Sequence, residues 1–156
     1  NIDPEAKIIL GGMSMGATTV LLAAGLDLPE NVKGIIADCG FTSPTEIIKK
    51  VARQGFHINA SVFLPVMNLV CVITGHFGIY GVSTEKALKN SKVPILFIHG
   101  KNDNFVPFEM SERNYKGMSG EKEILLVDGA DHGMSYLVDT PSVEKHLCDF
   151  LKKISA

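Results

Sequence analysis

The segment Lys7-Ile-Ile-Leu-Gly-Gly-Met-Ser-Met-Gly-Ala17 joins a short apolar run to a cluster of glycines. An apolar run closed by glycine is typical of a β-strand buried on both faces. The alanine- and leucine-rich residues from Ala17 to Ala24 predict a helix that ends at Gly25. A second apolar strand follows at Val32–Asp38, so strand, helix and strand fit within about thirty residues. This βαβ unit predicts a parallel sheet with a right-handed crossover connection.

The rest of the chain continues the same alternation of strands and helices. Val93–His99 and Glu123–Asp128 read as two further strands, and a helix begins at Pro107 and ends near Gly117. A last helix begins around Thr140, and its apolar residues form one stripe. The residues of that stripe are Val143, Leu147, Phe150, Leu151 and Ile154. We therefore expect an α/β fold, a mostly parallel sheet with flanking helices.

The overall composition excludes several classes of protein. The chain has 156 residues, of which 46% are hydrophobic, so it can bury enough apolar surface to fold. Seventeen acidic and fifteen basic residues leave a net charge of −2, which gives no general attraction to nucleic acid or anionic lipid. Three cysteines (Cys39, Cys71 and Cys148) have no metal-ligand spacing. They indicate reduced thiols in a cytoplasmic protein, without a disulfide framework or a metal.

Signals for export or membrane insertion are also not apparent in the sequence. The chain opens Asn-Ile-Asp-Pro-Glu, without the basic and apolar regions of a signal peptide. Residues 54–84 carry no charge, and their apolar centre is Val62–Ile73. As a helix this centre would be about 18 Å long, short of the roughly 30 Å of a bilayer core. We therefore expect no membrane span.

The spacing Gly12-x-Ser14-x-Gly16 matches the nucleophile elbow, a sharp turn between a strand and a helix. Such a turn strains the backbone at the serine, and small residues on either side let strand and helix approach. The hydroxyl of Ser14 would then stand at a helix N-terminus, where partial positive charge favours a developing oxyanion. The backbone N–H of Met15 is the oxyanion donor that this turn can supply.

A serine hydroxyl becomes a strong nucleophile only when a base takes its proton, and a carboxylate must orient that base. Asp103 follows the third predicted strand and His132 follows the fourth, so both should lie at the same sheet edge as Ser14. Three other carboxylates compete weakly for the role of the acid: Asp38, Asp128 and Asp131. His99 is interpreted as a structural residue at a strand end, and His57 and His76 are possible substrate contacts.

Three motifs together resemble the α/β-hydrolase superfamily: Gly-Gly-Met-Ser14-Met-Gly-Ala, His99-Gly-x-x-Asp103-x-x-Val-Pro, and Gly-x-Asp-His132-Gly. The chain is most similar to bacterial cytosolic serine hydrolases of the serine-aminopeptidase and esterase type. The order serine, aspartate, histidine is that of this superfamily. The resemblance implies a catalytic triad of Ser14, Asp103 and His132, and it implies a reaction without a metal or organic cofactor. It covers only the C-terminal half of the fold, so the chain resembles part of a longer protein.

The resemblance also implies a division of the chain into three parts. Residues 1–40 would hold the elbow strand, helix and second strand, residues 41–92 a helical lid or cap insertion, and residues 93–156 the remainder of the core. The apolar run in the insertion would either line an acyl-sized pocket or pack on the sheet. Met13, Phe63 and Met67 are the candidate substrate-binding residues.

In the superfamily the elbow strand has a neighbour from the N-terminal half of the fold, which this sequence lacks. The Lys7–Gly11 strand would therefore present an open apolar edge. We expect this edge to pair with an N-terminal half or with a second copy of the chain. The expected function is cleavage of an ester, thioester or amide in a small-molecule acyl or peptide substrate. The alternative is an inactive module that acts by association.

Overall fold

A computed structural model describes residue 3 and residues 6–155. In chain order the elements are β1 (Ile8–Met13), α1 (Met15–Ala23), β2 (Val32–Asp38), α2 (Pro44–Phe56), a 3-10 turn (Ala60–Val62), α3 (Leu64–Gly75), α4 (Thr84–Leu88), β3 (Ile95–Gly100), α5 (Phe108–Gly117), β4 (Lys122–Val127), α6 (Ser135–Val138) and α7 (Thr140–Ser155). The strands form one parallel sheet in the order β1-β2-β3-β4. The predicted α/β fold with a parallel sheet is confirmed.

Strand β3 is buried along its whole length because helices cover both faces of the sheet. Its side chains alternate between two apolar clusters, as the two-residue period of a strand requires. Ile95 and Phe97 pack with residues of α1 and α4 on one face. On the other face, Leu96 and Ile98 belong to one buried cluster with Val143 and Phe150 of α7. Two-sided burial explains why the strand reads as a continuous apolar run.

The two edges of the sheet differ. Strand β4 carries charged residues at its start, and its Glu123 forms an ion pair with Lys153 of α7. On β1, Ile9 and Met13 expose 37% and 59% of their surface. Within residues 6–155 only β2 pairs with β1, so its outer edge is open. The expectation that another strand covers this edge stays a prediction.

Residues 41–92 are not uniform in their packing. Helix α4 lies within the core, where Leu88 is fully buried against residues of α1, β2 and β3. Helix α3 is mostly exposed along its length, although it is strongly apolar. The division into core and insertion stays a prediction. Helix α4, the last helix within residues 41–92, packs with the core. Within the described part of the chain, no helix has the length and apolarity needed to span a bilayer.

Candidate active site

Ser14 lies in the tight turn that joins β1 to α1. Its φ of 54° and ψ of −113° are strained for a residue with a side chain. A Cβ at Gly12 would come within 2.3 Å of the Gly16 carbonyl carbon, so this glycine is required for strand and helix to approach. A Cβ at Gly16 would meet nothing within 4 Å among the described residues. The expectation that small residues are needed on both sides of the serine is therefore supported only at Gly12.

The ring of His132 is held next to the Ser14 hydroxyl by the loop after β4. Its Nε2 lies 2.9 Å from Ser14 Oγ. Two glycines with positive φ, Gly129 at 77° and Gly133 at 68°, shape this loop. The edge of the Phe105 ring packs against the imidazole, with 5.1 Å between ring centroids. Sequence positions 118 residues apart thus meet at one rim of the sheet.

Asp103 lies in the turn after β3, where its side chain is completely buried. Its Oδ2 lies 2.7 Å from His132 Nδ1. Its Oδ1 accepts hydrogen bonds from the backbone N–H groups of Phe105 at 2.9 Å and Val106 at 2.7 Å. Burial acts to raise the pKa of Asp103, but hydrogen bonds from His99, His132 and Val106 outweigh it and lower the pKa to about 2. The carboxylate is therefore ionised at neutral pH.

Among the described residues, none of the three competing carboxylates forms a hydrogen bond or ion pair with the His132 ring. Asp131 accepts hydrogen bonds from the backbone N–H groups of Asn104 and His132, so it ties two loops together. Asp128 is exposed and pairs with Lys101. Asp38 keeps a buried oxygen without a hydrogen-bond partner, and burial raises the pKa of its carboxyl group.

Cys39, Asp103 and His132 bring one donor atom each within 4.8 Å of one another, an arrangement that could hold a metal ion. Burial raises the pKa of the Cys39 thiol to about 12, so the thiol stays protonated at neutral pH. The bond between Asp103 and His132 already occupies the other two groups. These contacts favour a hydrogen-bonded relay over metal binding.

Met15 is the first residue of α1. The N–H groups of a first helical turn have no acceptor within the helix, and they carry the positive end of its dipole. The Met15 N–H follows Ser14 directly in the chain and has no acceptor within α1. Its role as an oxyanion donor stays a prediction.

An apolar cavity of about 440 Å³ opens next to Ser14. Helix α2 forms one wall, because its Ile47, Ile48, Val51 and Ala52 share one face. The other lining residues are Ser14, Met15, Phe41, Phe56 and Phe105. The role of α2 was not predicted from the sequence, although the amphipathic spacing within Pro44–Phe56 was a usable signal.

The structure does not bring the three candidate substrate-binding residues into this cavity. Phe63 and Met67 line a separate groove with Val66, Val70 and Cys71. Met13 points toward the loop after β4, with its sulfur 3.0 Å from the site of a Cβ on Gly133. His57 and His76 end α2 and α3 as left-handed capping residues, outside the cavity lining. The reason is that α2, rather than α3, packs across the rim that holds Ser14.

Comparison with known proteins extends these findings. Residues 79–155 match a family model described as TAP-like protein. The uncharacterized protein YqkD of Bacillus subtilis is 29% identical over 144 residues, which cover 92% of this chain and 47% of YqkD. An esterase of Pyrococcus furiosus superposes with a TM-score of 0.67 at 18% identity, covering 96% of this chain and 54% of the esterase. An acylaminoacyl peptidase of Pyrococcus horikoshii gives 0.65 at 18% identity, covering 97% and 24%.

These similarities, together with the parallel sheet and its strand-turn-helix at Ser14, define an α/β-hydrolase fold. The chain therefore has the fold that its resemblance to the α/β-hydrolases implied. It spans about half the length of YqkD and 40% of the length of the Escherichia coli relative YfhR.

Proposed function

We propose that the protein is a serine hydrolase that cleaves a carboxylic ester, thioester or amide through an acyl-enzyme on Ser14. The observation that carries the proposal is the continuous contact from hydroxyl to imidazole to carboxylate. Ser14 Oγ lies 2.9 Å from His132 Nε2, and His132 Nδ1 lies 2.7 Å from Asp103 Oδ2. These distances suit proton transfer in both directions.

The protonation of His132 follows from its partners. The ionised Asp103 only accepts hydrogen bonds, so the ring donates from Nδ1 and leaves Nε2 free to accept from the Ser14 hydroxyl. In the proposed reaction Ser14 Oγ attacks the carbonyl carbon while His132 takes its proton. The Met15 N–H donates to the oxyanion of the tetrahedral intermediate. His132 then returns the proton to the leaving group, and water releases the acyl group by the same route.

The cavity suggests the class of substrate. Its lining beside Ser14 is aliphatic and aromatic, and its volume of about 440 Å³ suits an acyl group of moderate size. The solved structures of similar fold include esterases, acylaminoacyl peptidases and a monoacylglycerol lipase. We propose a small acyl ester as the substrate, with a peptide or acyl thioester as the other possible class. In this proposal α2 is the part of the 41–92 insertion that covers the acyl group.

Labelling with a fluorophosphonate probe tests the proposed nucleophile directly. Ser14 should be modified, and the Ser14→Ala and His132→Ala variants should show almost no labelling. Loss of either member of a triad typically lowers the rate by about 10⁴-fold or more. Ser119→Ala removes an exposed serine and is the matched control. A native protein that is folded but neither labels at Ser14 nor hydrolyses short p-nitrophenyl esters would contradict the proposal.

An acyl-chain series sharpens the assignment of the cavity. Substitution of Val51 by Phe narrows the cavity beside Ser14 and should lower activity on long-chain esters more than on acetate esters. Met67→Phe, in the separate groove, is the control and should leave the chain-length profile unchanged.

The second candidate function is association without catalysis, which the open edge of β1 favours. We propose that a strand from an N-terminal half or from a second copy pairs with this edge. Sedimentation measures the oligomeric state, and fluorophosphonate labelling measures the reactivity of Ser14. Labelling supports the enzyme in any oligomeric state, whereas self-association without labelling supports association without catalysis. We also propose a cytoplasmic location, since Cys39, Cys71 and Cys148 are all free thiols.

A further inference from the structure

A second histidine contacts the carboxylate of Asp103. His99, at the end of β3, is completely buried. Its Nε2 lies 3.1 Å from Asp103 Oδ2 and 3.0 Å from the Val106 carbonyl oxygen. Its Nδ1 lies 2.6 Å from Ser111 Oγ on α5. Asp103 Oδ2 thus receives one imidazole from each side.

The partners of His99 determine which ring nitrogen carries the proton. The Val106 carbonyl and the ionised Asp103 are both acceptors, so Nε2 must hold a hydrogen. In the neutral ring Nδ1 is then an acceptor for the Ser111 hydroxyl. Every polar atom of His99 is therefore satisfied in the neutral form, as burial requires.

We propose that His99 is a positioning residue for the triad: it donates from Nε2 to Asp103 Oδ2 and so holds the carboxylate toward His132. The inference rests on the proposed serine hydrolase function. Backbone N–H groups of Phe105 and Val106 fix the other carboxylate oxygen, Oδ1. Oδ2 is held only by the two imidazoles among the side chains described, so without His99 it keeps a single partner.

His99 also moderates the attraction between Asp103 and His132. Two donors share one oxygen, and each bond weakens the acceptor strength left for the other. Other ionisable groups near this cluster include Asp38 at the end of β2, the Cys39 thiol beside it and Lys50 of α2. Asp131 also lies close, since its carboxylate accepts hydrogen bonds from the backbone N–H groups of Asn104 and His132. Lys50 is engaged by the carbonyl oxygens of Asn104 and Phe105, so it does not replace His99 as a donor to Oδ2.

Rates of fluorophosphonate labelling as a function of pH test the inference. His99→Leu should lower the labelling rate by about 10- to 100-fold, by analogy with the effect of removing groups that orient metal-ligating side chains. The pH of half-maximal labelling should move upward, because the full acceptor strength of Oδ2 then stabilises the imidazolium of His132. His99→Gln, which retains a side-chain N–H at a similar reach, should recover most of the rate.

Ser111→Ala is the matched control, because it removes the hydrogen bond at Nδ1 of His99 and leaves the bonds of Nε2 to Asp103 and to the Val106 carbonyl. A purely structural role predicts that Ser111→Ala and His99→Leu lower the melting temperature without moving the pH midpoint. Labelling of His99→Leu at the native rate and midpoint would overturn the inference. If native protein does not label at all, the proposed function fails instead.

One measurement needs no variant. Long-range ¹H–¹⁵N NMR of the native protein reports the tautomer of each histidine. The inference expects a proton on Nε2 of His99 in slow exchange with water. A proton on Nδ1 alone would overturn it, since Nε2 could then donate nothing to Asp103.

Discussion

The rim around Asp103 and the surface of helix α3 are opposites in the same chain. At the rim, the buried side chain of Asp103 makes four hydrogen-bond contacts. On α3, the side chains are apolar and lie in solvent: Val66 exposes 63%, Leu69 57% and Ile73 65%. The difference shows that an apolar sequence alone does not identify a buried segment. In this chain a polar residue of the candidate site is buried, whereas an apolar helix is exposed.

The contrast follows from what surrounds each region. The rim lies where β3, β4 and the elbow converge, so its loops are held from several sides. Helix α3 follows a 3-10 turn and buries only Leu64, at its first position. Exposed apolar area of this extent is typical of a surface that contacts another molecule.

Truncation of a buried leucine should have the largest effect on stability. Leu21→Ala removes a fully buried side chain of α1 and should lower the free energy of unfolding by about 2–5 kcal/mol. Leu69→Ala makes the same chemical change on exposed α3 and should cost within roughly 0.5 kcal/mol. Urea denaturation of both variants measures the difference, and equal losses would show that α3 is part of the folding core.

A methyl group at the elbow should have the next largest effect. Gly12→Ala places a Cβ against the backbone of Gly16 and should destabilise the protein by about 1–3 kcal/mol, with loss of labelling at Ser14. Gly16→Ala, which meets open space in the described structure, is the control and should be tolerated. Thermal melts and labelling rates check both variants. Equal destabilisation would mean that Gly16 has a neighbour beyond these residues.

Acidification should weaken the rim selectively. The pKa of Asp103 in the folded protein is about 2, below its ordinary value of 3.8, so its contribution to stability is complete above about pH 5. That contribution, roughly 2 kcal/mol, is lost as the pH falls from about 5 to about 1. The stability difference between native protein and Asp103→Asn should therefore narrow over this interval. Urea titrations at several pH values measure it, and a constant difference would contradict the prediction.

A charge on α3 should change solution behaviour more than stability. Ile73→Lys replaces a side chain that is 65% exposed and should alter the free energy of unfolding by less than about 0.5 kcal/mol. It should lower binding of an apolar dye such as ANS, because it interrupts the apolar surface of the helix. Thr74→Lys, beside it on the same helix, is the matched control. An unfolded Ile73→Lys would show that the surface is covered in solution.

The sheet was predictable from sequence because a β-strand buried on both faces has a simple sequence pattern, a continuous apolar run. Val32–Asp38 has the bounds that its apolar run indicated, and β3 differs only at its ends. Short helices were not predicted: Thr84–Leu88 and Ser135–Val138 are one turn or little more, too short for a periodic pattern. Helix α4 is part of the core because of its tertiary contacts, which a single sequence does not record.

The meeting of Ser14, Asp103 and His132 was predictable from their positions after parallel strands. The shape of the cavity beside these three residues could not be predicted from the sequence. Phe63 and Met67 are as apolar as Ile47 and Val51, and only the path of the chain between residues 57 and 63 decides which pair faces Ser14. The contact of His99 with Asp103 also depends on the turn between them, which brings His99 Nε2 within 3.1 Å of Asp103 Oδ2.

The open side of β1 determines what any added strand would do. A further parallel strand at this edge would run alongside Ile8–Met13 and end level with the elbow. Pairing at that edge and the conformation of the elbow would then be coupled, because both depend on the position of β1.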